Sequence, residues 1–418
     1  MNGVLSVVSI IVPHLAPHSC AITFPGYNRA ETLVNIPLQV VLGSNISGFS
    51  YTQFAAPGGA DLRFTTENDT NLLNHEVDTW NPDGVSRVWV QLPALTSNTT
   101  LRAWWGNSVW TNPPASTTNG ATWSAGYVGV WHLETGGVTD STAGAHAANG
   151  NTATLTNGLI GNGAVFNGAS AAIQVPWSAD FDLASNFEVQ GWFQVAAADK
   201  PAVNNFLTLT AKEAPASFTN RNWWLALRND GRLWWKTSAD LDTTNATDLA
   251  DSAWHHFAAV HDGTAARLYV DGSQAAIDAT PGLAGTQNAP VWFGNESGTT
   301  RHFKGLLDEM RISNVSRSSN WVWAVYQNIA SNSVFTSFGA VVSAPVSPPT
   351  FDSFAIVGGL PSFSIGAEPG FNYTVQASTN LTTWTDLYTT NPGVVPFGWS
   401  DSAATNFVRR FYRVQVTP

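Results

Sequence analysis

The sharpest candidates for chemistry are Glu76 and Asp78, in the segment Asn74-His75-Glu76-Val77-Asp78-Thr79-Trp80. Alternate residues of an extended strand point to one side, so the two carboxylates are presented together, as paired acid/base work on a glycosidic bond requires. The competing reading is an exposed strand face on which one carboxylate pairs with Arg63 or Arg87.

Binding without turnover needs a different pattern: flat apolar faces that stack on sugar C–H groups, with amides or cations nearby for the hydroxyls. The richest such stretch is Asn222 to Lys236 (NWWLALRNDGRLWWK). A two-residue turn at Asp230-Gly231 would mix polar and apolar partners across the hairpin. A three-residue loop, Asn229 to Gly231 with Gly231 left-handed, pairs Leu227 with Leu233 and Leu225 with Trp235. That second register turns Trp223, Leu225, Leu227, Leu233 and Trp235 inward and Trp224, Ala226, Arg228, Trp234 and Lys236 outward. Trp224 and Trp234 then form an open platform with Arg228 and Asn222 as polar partners, or a loop or neighbouring module covers them, the common fate of large aromatics. Trp177, in VPWSADF, is a further candidate contact on a loop rim.

Other chemistries fall away. His255 and His256 are adjacent on a strand and point to opposite faces, which argues against joint metal binding. There is no Gly-x-Ser-x-Gly elbow, and GLIGNGAVFNG lacks the Lys-Ser/Thr of a phosphate-binding loop. One cysteine, Cys20, precludes an internal disulfide and any multi-thiolate zinc site. With 18 Lys plus Arg against 29 Asp plus Glu, the net charge of -11 offers no basic surface for nucleic acid. No apolar run approaches the roughly 20 residues of a membrane-spanning helix. Val4 to Val12 is apolar, but no basic residue precedes it and no small-x-small site follows. It reads as a degraded leader or an ordinary first strand.

The elements that must position these residues are strands. Short Val, Ile, Trp, Phe and Thr runs recur between Gly, Asn, Asp, Pro and Ser clusters, so the chain is all-β and multidomain. TNPPASTTNG (111–120) and AVVSAPVSPP (340–349) punctuate it. The expected order is a possible leader (1–20), a β-sandwich module (21–112), a linker (113–124), a large sandwich (125–338), a Pro-rich linker (339–351) and a small C-terminal sandwich (352–418). Val88 and Val90 alternate with Arg87, Trp89 and Gln91 as in a half-buried strand. The one helical pattern is Ser319 to Ser331, with Trp321, Val325 and Asn328 or Ile329 on one stripe after a Ser/Asn cap.

Several words are familiar. GADLRFTT, NHEVDTWNPDGVSRVWV and TTLRAWWGN resemble a bacterial domain of unknown function that commonly precedes laminin-G-like jelly rolls in secreted proteins. GYVGVWHLE, DSTAGAH, GAVFNGASAAIQVP, NFEVQGWFQ, SAWHHFAAVHDGTAARLYVDG and FKGLLDEMRIS resemble, in this order, the concanavalin A-like jelly roll of the laminin-G type. FNYTVQASTNLTTWTDL with RRFYRVQV is similar to a C-terminal β module of secreted planctomycete and verrucomicrobial proteins. The first resemblance implies no activity.

The jelly-roll resemblance implies one structural calcium ion at the sandwich edge, with Asp140 and Asp308 at the matching positions. Asp140 could equally stabilise a turn, and Asp308 pair with Arg311. Glycoside hydrolases on that fold carry Glu-x-Asp-x-x-Glu. Here Asn81 stands in place of the third carboxylate, and the pair Glu76/Asp78 lies in the first module, so a hydrolase would need an Asp or Glu of the second module opposite. The expectation is therefore a secreted or cell-surface bacterial protein, monomeric, without an organic cofactor, whose jelly roll binds an extracellular polysaccharide or other glycan. A hydrolase and a non-catalytic adhesion protein are the alternatives. The low charge favours a neutral polysaccharide.

Overall fold

The computed structural model describes residues 16–66, 72–213, 221–237, 240–242, 247–281, 285, 288–297, 301–343, 349–369 and 371–417. The Val4 to Val12 stretch lies outside them. The architecture is nearly all antiparallel β, arranged as three pairs of sheets. The helical pattern folds as expected, over Ser319–Ala330, with the Ser318 hydroxyl accepting the Trp321 N–H as its cap.

In the N-terminal part, strands Leu33–Leu42, Ser86–Leu95 and His75–Thr79 form one sheet. His18–Thr23, Thr100–Trp105 and Arg63–Thr66 run in that order in the other, with Arg63–Thr66 at its edge. Ile36, Leu38, Val40, Val88 and Val90 fill the core between them with Phe64, Leu101 and Ala103. The alternation read at Val88 and Val90 is present, but the strand is not half-buried. Gln39, Trp89 and Glu76 share the other face through their pairings, and Gln39 and Trp89 are both buried.

Two large sheets form the jelly roll. One runs through Trp254–His261, Phe187–Gln194, Lys304–Ser313 and Asn162–Asn167, and Tyr127–Trp131 also pairs with Lys304–Ser313. The other orders Leu233–Lys236, Trp223–Arg228, Phe206–Lys212, Val291–Phe293 and Ile173–Val175. Between them lie Trp131, Phe166, Phe193, Leu209, Trp223, Leu225, Trp235, Phe257 and Phe293. The hairpin takes the three-residue loop: Leu227 pairs with Leu233 and Leu225 with Trp235, and Gly231 is left-handed at φ 78°.

The stretch 113–124, expected as a linker, makes two short 3-10 turns, Ala115–Thr117 and Ala121–Trp123. Trp123 is buried and belongs to the N-terminal core. So do Tyr127, Val130 and Ile160 of the jelly roll and Trp321, Ala324 and Val325 of the helix. The C-terminal sandwich is built differently, around a small core of its own at Phe363, Ile365 and Val375. Its Asn391 amide donates to the Ser108 hydroxyl of the N-terminal part.

Candidate functional site

The outer face of the jelly roll's second sheet carries a row set by register: Gln174 beside Trp292, then Ala211, Trp224 and Lys236. Trp234 follows in the next row, paired with Ala226. Trp224, expected to be open, is 1% exposed. Phe206 and Trp234 flank it at 5.0 and 5.1 Å, the Arg221 and Arg301 guanidinium groups lie over its ring at 4.6 and 4.5 Å, and its indole N–H donates to Thr208 Oγ1 at 2.9 Å. The platform of two open indoles is therefore corrected to a roofed Trp224 beside a half-exposed Trp234, whose ring stacks on Phe206 at 4.8 Å and 27°.

The roof is itself ionic. Arg221 bridges Glu213 and Glu296, and Arg301 donates to both Glu296 oxygens at 2.7 and 2.6 Å. Burial, with Glu296 alongside, pushes the Glu213 carboxyl up to about 8. Asn222, expected as a ligand contact, is fully buried and donates to the Leu183 carbonyl at 2.5 Å. Arg228 is half-exposed with Asp230 at 3.7 Å. Trp177 is 43% exposed on the rim, its indole N–H shared by the two Asp182 oxygens at 3.2 Å.

Trp292 is half-exposed and was missed by reading the sequence, although the alternation in VWFG, with Val291 and Phe293 inward, could have placed it outward. Arg301 was missed as well. Beside it opens a cavity of about 730 Å³, lined among others by Lys200, Asn205, Glu296, Arg301, His302 and Lys304. The cavity's cations are paired: Lys200 with Asp248 at 2.5 Å, Lys304 with Asp199 at 2.7 Å and Arg301 with Glu296.

A second cluster lies where the N-terminal sheet meets the jelly roll. Glu76 and Asp78 do present their carboxylates towards one side, but that side is covered. Glu76 accepts from the Trp123 indole at 2.5 Å and Ser141 Oγ at 2.6 Å, and Asp78 accepts from the Trp89 indole at 2.9 Å. The Asp78 side chain is fully buried. A carboxylate of the jelly roll does stand opposite. Glu309 sits at a bulge with φ 52°, 2.7 Å from His132 Nδ1, and the same nitrogen is 3.5 Å from Asp78. Arg311 donates to Glu309 at 2.5 Å and stacks over Trp89 and Trp123 at 4.3 and 4.8 Å. Burial would lower the His132 imidazole, but Glu309, Asp78 and Glu76 outweigh it and hold it up at about 10. Burial raises Asp78 to about 6. With Asp78 fully enclosed and Glu76 held by two donors, the two carboxylates are not presented together to a glycosidic bond, which is the geometry a hydrolytic pair requires.

Residues 166–322 match the family described as the concanavalin A-like lectin/glucanases superfamily, laminin-G type. Three solved structures are similar to the chain. One is domain 4 of AbnA, an extracellular arabinanase from Geobacillus stearothermophilus, in complex with arabinotriose (22% identity, 48% of this chain and 98% of that one, TM-score 0.40). The second is the binding domain of Paraclostridial Mosquitocidal Protein 1 (15%, 70% and 75%, TM-score 0.42). The third is Trypanosoma rangeli sialidase (12%, 65% and 44%, TM-score 0.39). At these identities and scores the three bear on neither ligand nor activity. A search of curated proteins found no match.

The calcium that a laminin-G-type jelly roll implies was expected at Asp140 and Asp308, and neither fits. Asp140 Oδ1 accepts the Val130 and Thr142 N–H groups, both at 2.9 Å, and Oδ2 accepts Thr142 Oγ1 and the His146 N–H, both at 2.8 Å. Asp308 Oδ2 accepts the N–H groups of Leu159 and Ile160 at 2.7 and 2.9 Å, and Oδ1 that of Glu309 at 2.8 Å. Calcium needs the oxygen lone pairs that these donors occupy. Both aspartates organise turns.

Proposed function

We propose that the protein is an extracellular binding protein that takes a neutral polysaccharide on the outer face of the jelly roll's second sheet, without turnover. The observation that carries this reading is the pair of half-exposed indoles, Trp234 and Trp292, on one sheet face with Gln174 and Lys236 in register beside them. Half-exposed indole faces are the surfaces on which the C–H face of a sugar ring stacks, with neighbouring amide and ammonium groups for its hydroxyls. Paired cations in the neighbouring cavity favour hydroxyl groups over free anions, because an anionic ligand would have to displace Asp248, Asp199 or Glu296. The matched superfamily contains both lectins and glucanases, and the enclosure of Glu76 and Asp78 favours the former.

Affinity electrophoresis through gels containing arabinan, xylan or mixed-linkage glucan tests the proposal. The native chain should be retarded by at least one of them. Trp234→Ala and Trp292→Ala should each weaken retardation about tenfold, the effect of losing on the order of 1.4 kcal/mol of stacking. A chain that migrates freely in every gel, or variants retarded as strongly as the native chain, would overturn it.

A further inference from the structure

We propose that Asp78, His132 and Glu309 form a binding site for one divalent transition-metal ion, with zinc the best match, which cross-links the N-terminal sheet to the jelly roll. Among the described residues this is the one group of three His, Cys, Asp or Glu side chains whose ligating atoms all lie within 4.8 Å of one another. Zinc bonds of about 2.0–2.2 Å at tetrahedral angles set ligand atoms roughly 3.3–3.6 Å apart; Asp78 already stands 3.5 Å from His132 Nδ1, and Glu309, at 2.7 Å, has to move outward by under an ångström as the ion replaces its hydrogen bond. The three come from separate elements: Asp78 from strand His75–Thr79, His132 from the residue after Tyr127–Trp131, and Glu309 from Lys304–Ser313. The donor set of one imidazole and two carboxylates suits zinc rather than calcium, which takes oxygen alone.

The surroundings carry the inference beyond a charged cluster. The His132 side chain is 7% exposed, and its Nε2 has no hydrogen-bond partner. That atom faces Glu76 Oε1 at 3.9 Å, while Nδ1 faces Glu309 and Asp78. Buried polar atoms seldom stay unpartnered. An ion on Nδ1 would fix the proton on Nε2, and closing the 3.9 Å gap to Glu76 Oε1 would then complete the carboxylate–histidine–metal arrangement common around bound metals. Glu76 is already held for that task by Trp123 and Ser141. The outer contacts of the other ligands are also in place: the Trp89 indole on Asp78 and the Arg311 guanidinium on the second Glu309 oxygen. The site's enclosure makes the ion structural, so its binding is independent of the polysaccharide reading.

The test uses the full chain, stripped with chelator, incubated with zinc sulfate and freed of excess metal by gel filtration. About one equivalent of zinc should remain, and chelator should lower Tm, because an ion that binds only the folded form stabilises it. Cobalt(II) in place of zinc should give a visible d–d band. Asp78→Asn and Glu309→Gln should lose both signals, whereas His255→Gln, a change at a histidine outside the cluster, should keep them. A native chain that retains no zinc and shows no cobalt band overturns the proposal whatever the variants do. So does equal retention by the native chain and a folded Asp78→Asn.

Discussion

Trp224 and Trp234 lie 5.1 Å apart, yet their removal should read out differently. Trp224 is enclosed by Phe206, Arg221 and Arg301, so Trp224→Ala leaves a cavity under a roof of two arginines and should cost about 3–5 kcal/mol in urea unfolding. Equal losses for the two alanine variants would contradict the enclosure. A pH effect also belongs at this scale. Glu188 is fully buried on the first sheet, bonded by Gln190 Nε2 at 3.0 Å, and burial raises its carboxyl to about 7 against the pull of Arg317 and Arg311. The folded state therefore binds this proton more tightly than the unfolded chain does. The stability it contributes is complete below the ordinary carboxylate range and is lost as pH climbs towards 7. Glu188→Gln, which keeps the neutral form at every pH, should raise Tm at pH 8 relative to the native chain and leave it nearly unchanged at pH 4. Parallel Tm–pH curves for the two proteins would sink this.

At the scale of elements, the hairpin shows how far local pattern reaches. Its register, its inward set and the left-handed Gly231 all follow from two-residue alternation around Asn229-Asp230-Gly231. What closes over its outer face does not, since Arg301 is 77 positions beyond Trp224 and no local rule brings them together. The Asp140 and Asp308 turns were equally hidden, because a carboxylate that accepts several N–H groups and one that binds calcium are the same letter in a sequence. A Cβ on Gly231 would strike the Asp248 carboxylate as well as strain a φ of 78°. The helix Ser319–Ala330 was legible by its stripe, but not the task of Asn328. The Asn328 side chain accepts the Gln39 N–H at 2.6 Å and donates to the Gln39 carbonyl at 3.0 Å, pinning the helix to strand Leu33–Leu42. Asn328→Leu leaves the buried Gln39 N–H without its partner and the Gln39 carbonyl with the Asn332 amide at 3.3 Å, and should cost about 1–3 kcal/mol. A loss under about 1 kcal/mol would mean that the helix is held by its apolar stripe alone.

For the whole molecule the question is which parts melt together. The Pro, Ser and Asn stretch 111–120 reads as a spacer, because composition reports a lack of core-forming residues and says nothing about what the next residues reach. Trp123, Tyr127, Val130 and Ile160 enter the N-terminal core, the helix bonds the N-terminal sheet, and Asp78 meets His132 and Glu309 across the same junction. A boundary crossed by an apolar core and a buried charge cluster cannot open without exposing both, and either exposure costs several kcal/mol. The N-terminal sandwich and the jelly roll should accordingly unfold in one calorimetric transition. The C-terminal sandwich, with its own core around Phe363, Ile365 and Val375, should give another. Ending the chain after Ser343 should then remove the smaller transition and shift the main one by no more than about 2–4 °C, the displacement expected for roughly 1 kcal/mol. Beginning it at Ala125 should abolish cooperative folding of the jelly roll, since Val130, Ile160, His132, Glu309 and Arg311 would face water on a sheet built to be covered. A fragment of residues 125–338 that melts sharply at the temperature of the full chain would show that the junction is only a contact between two finished domains.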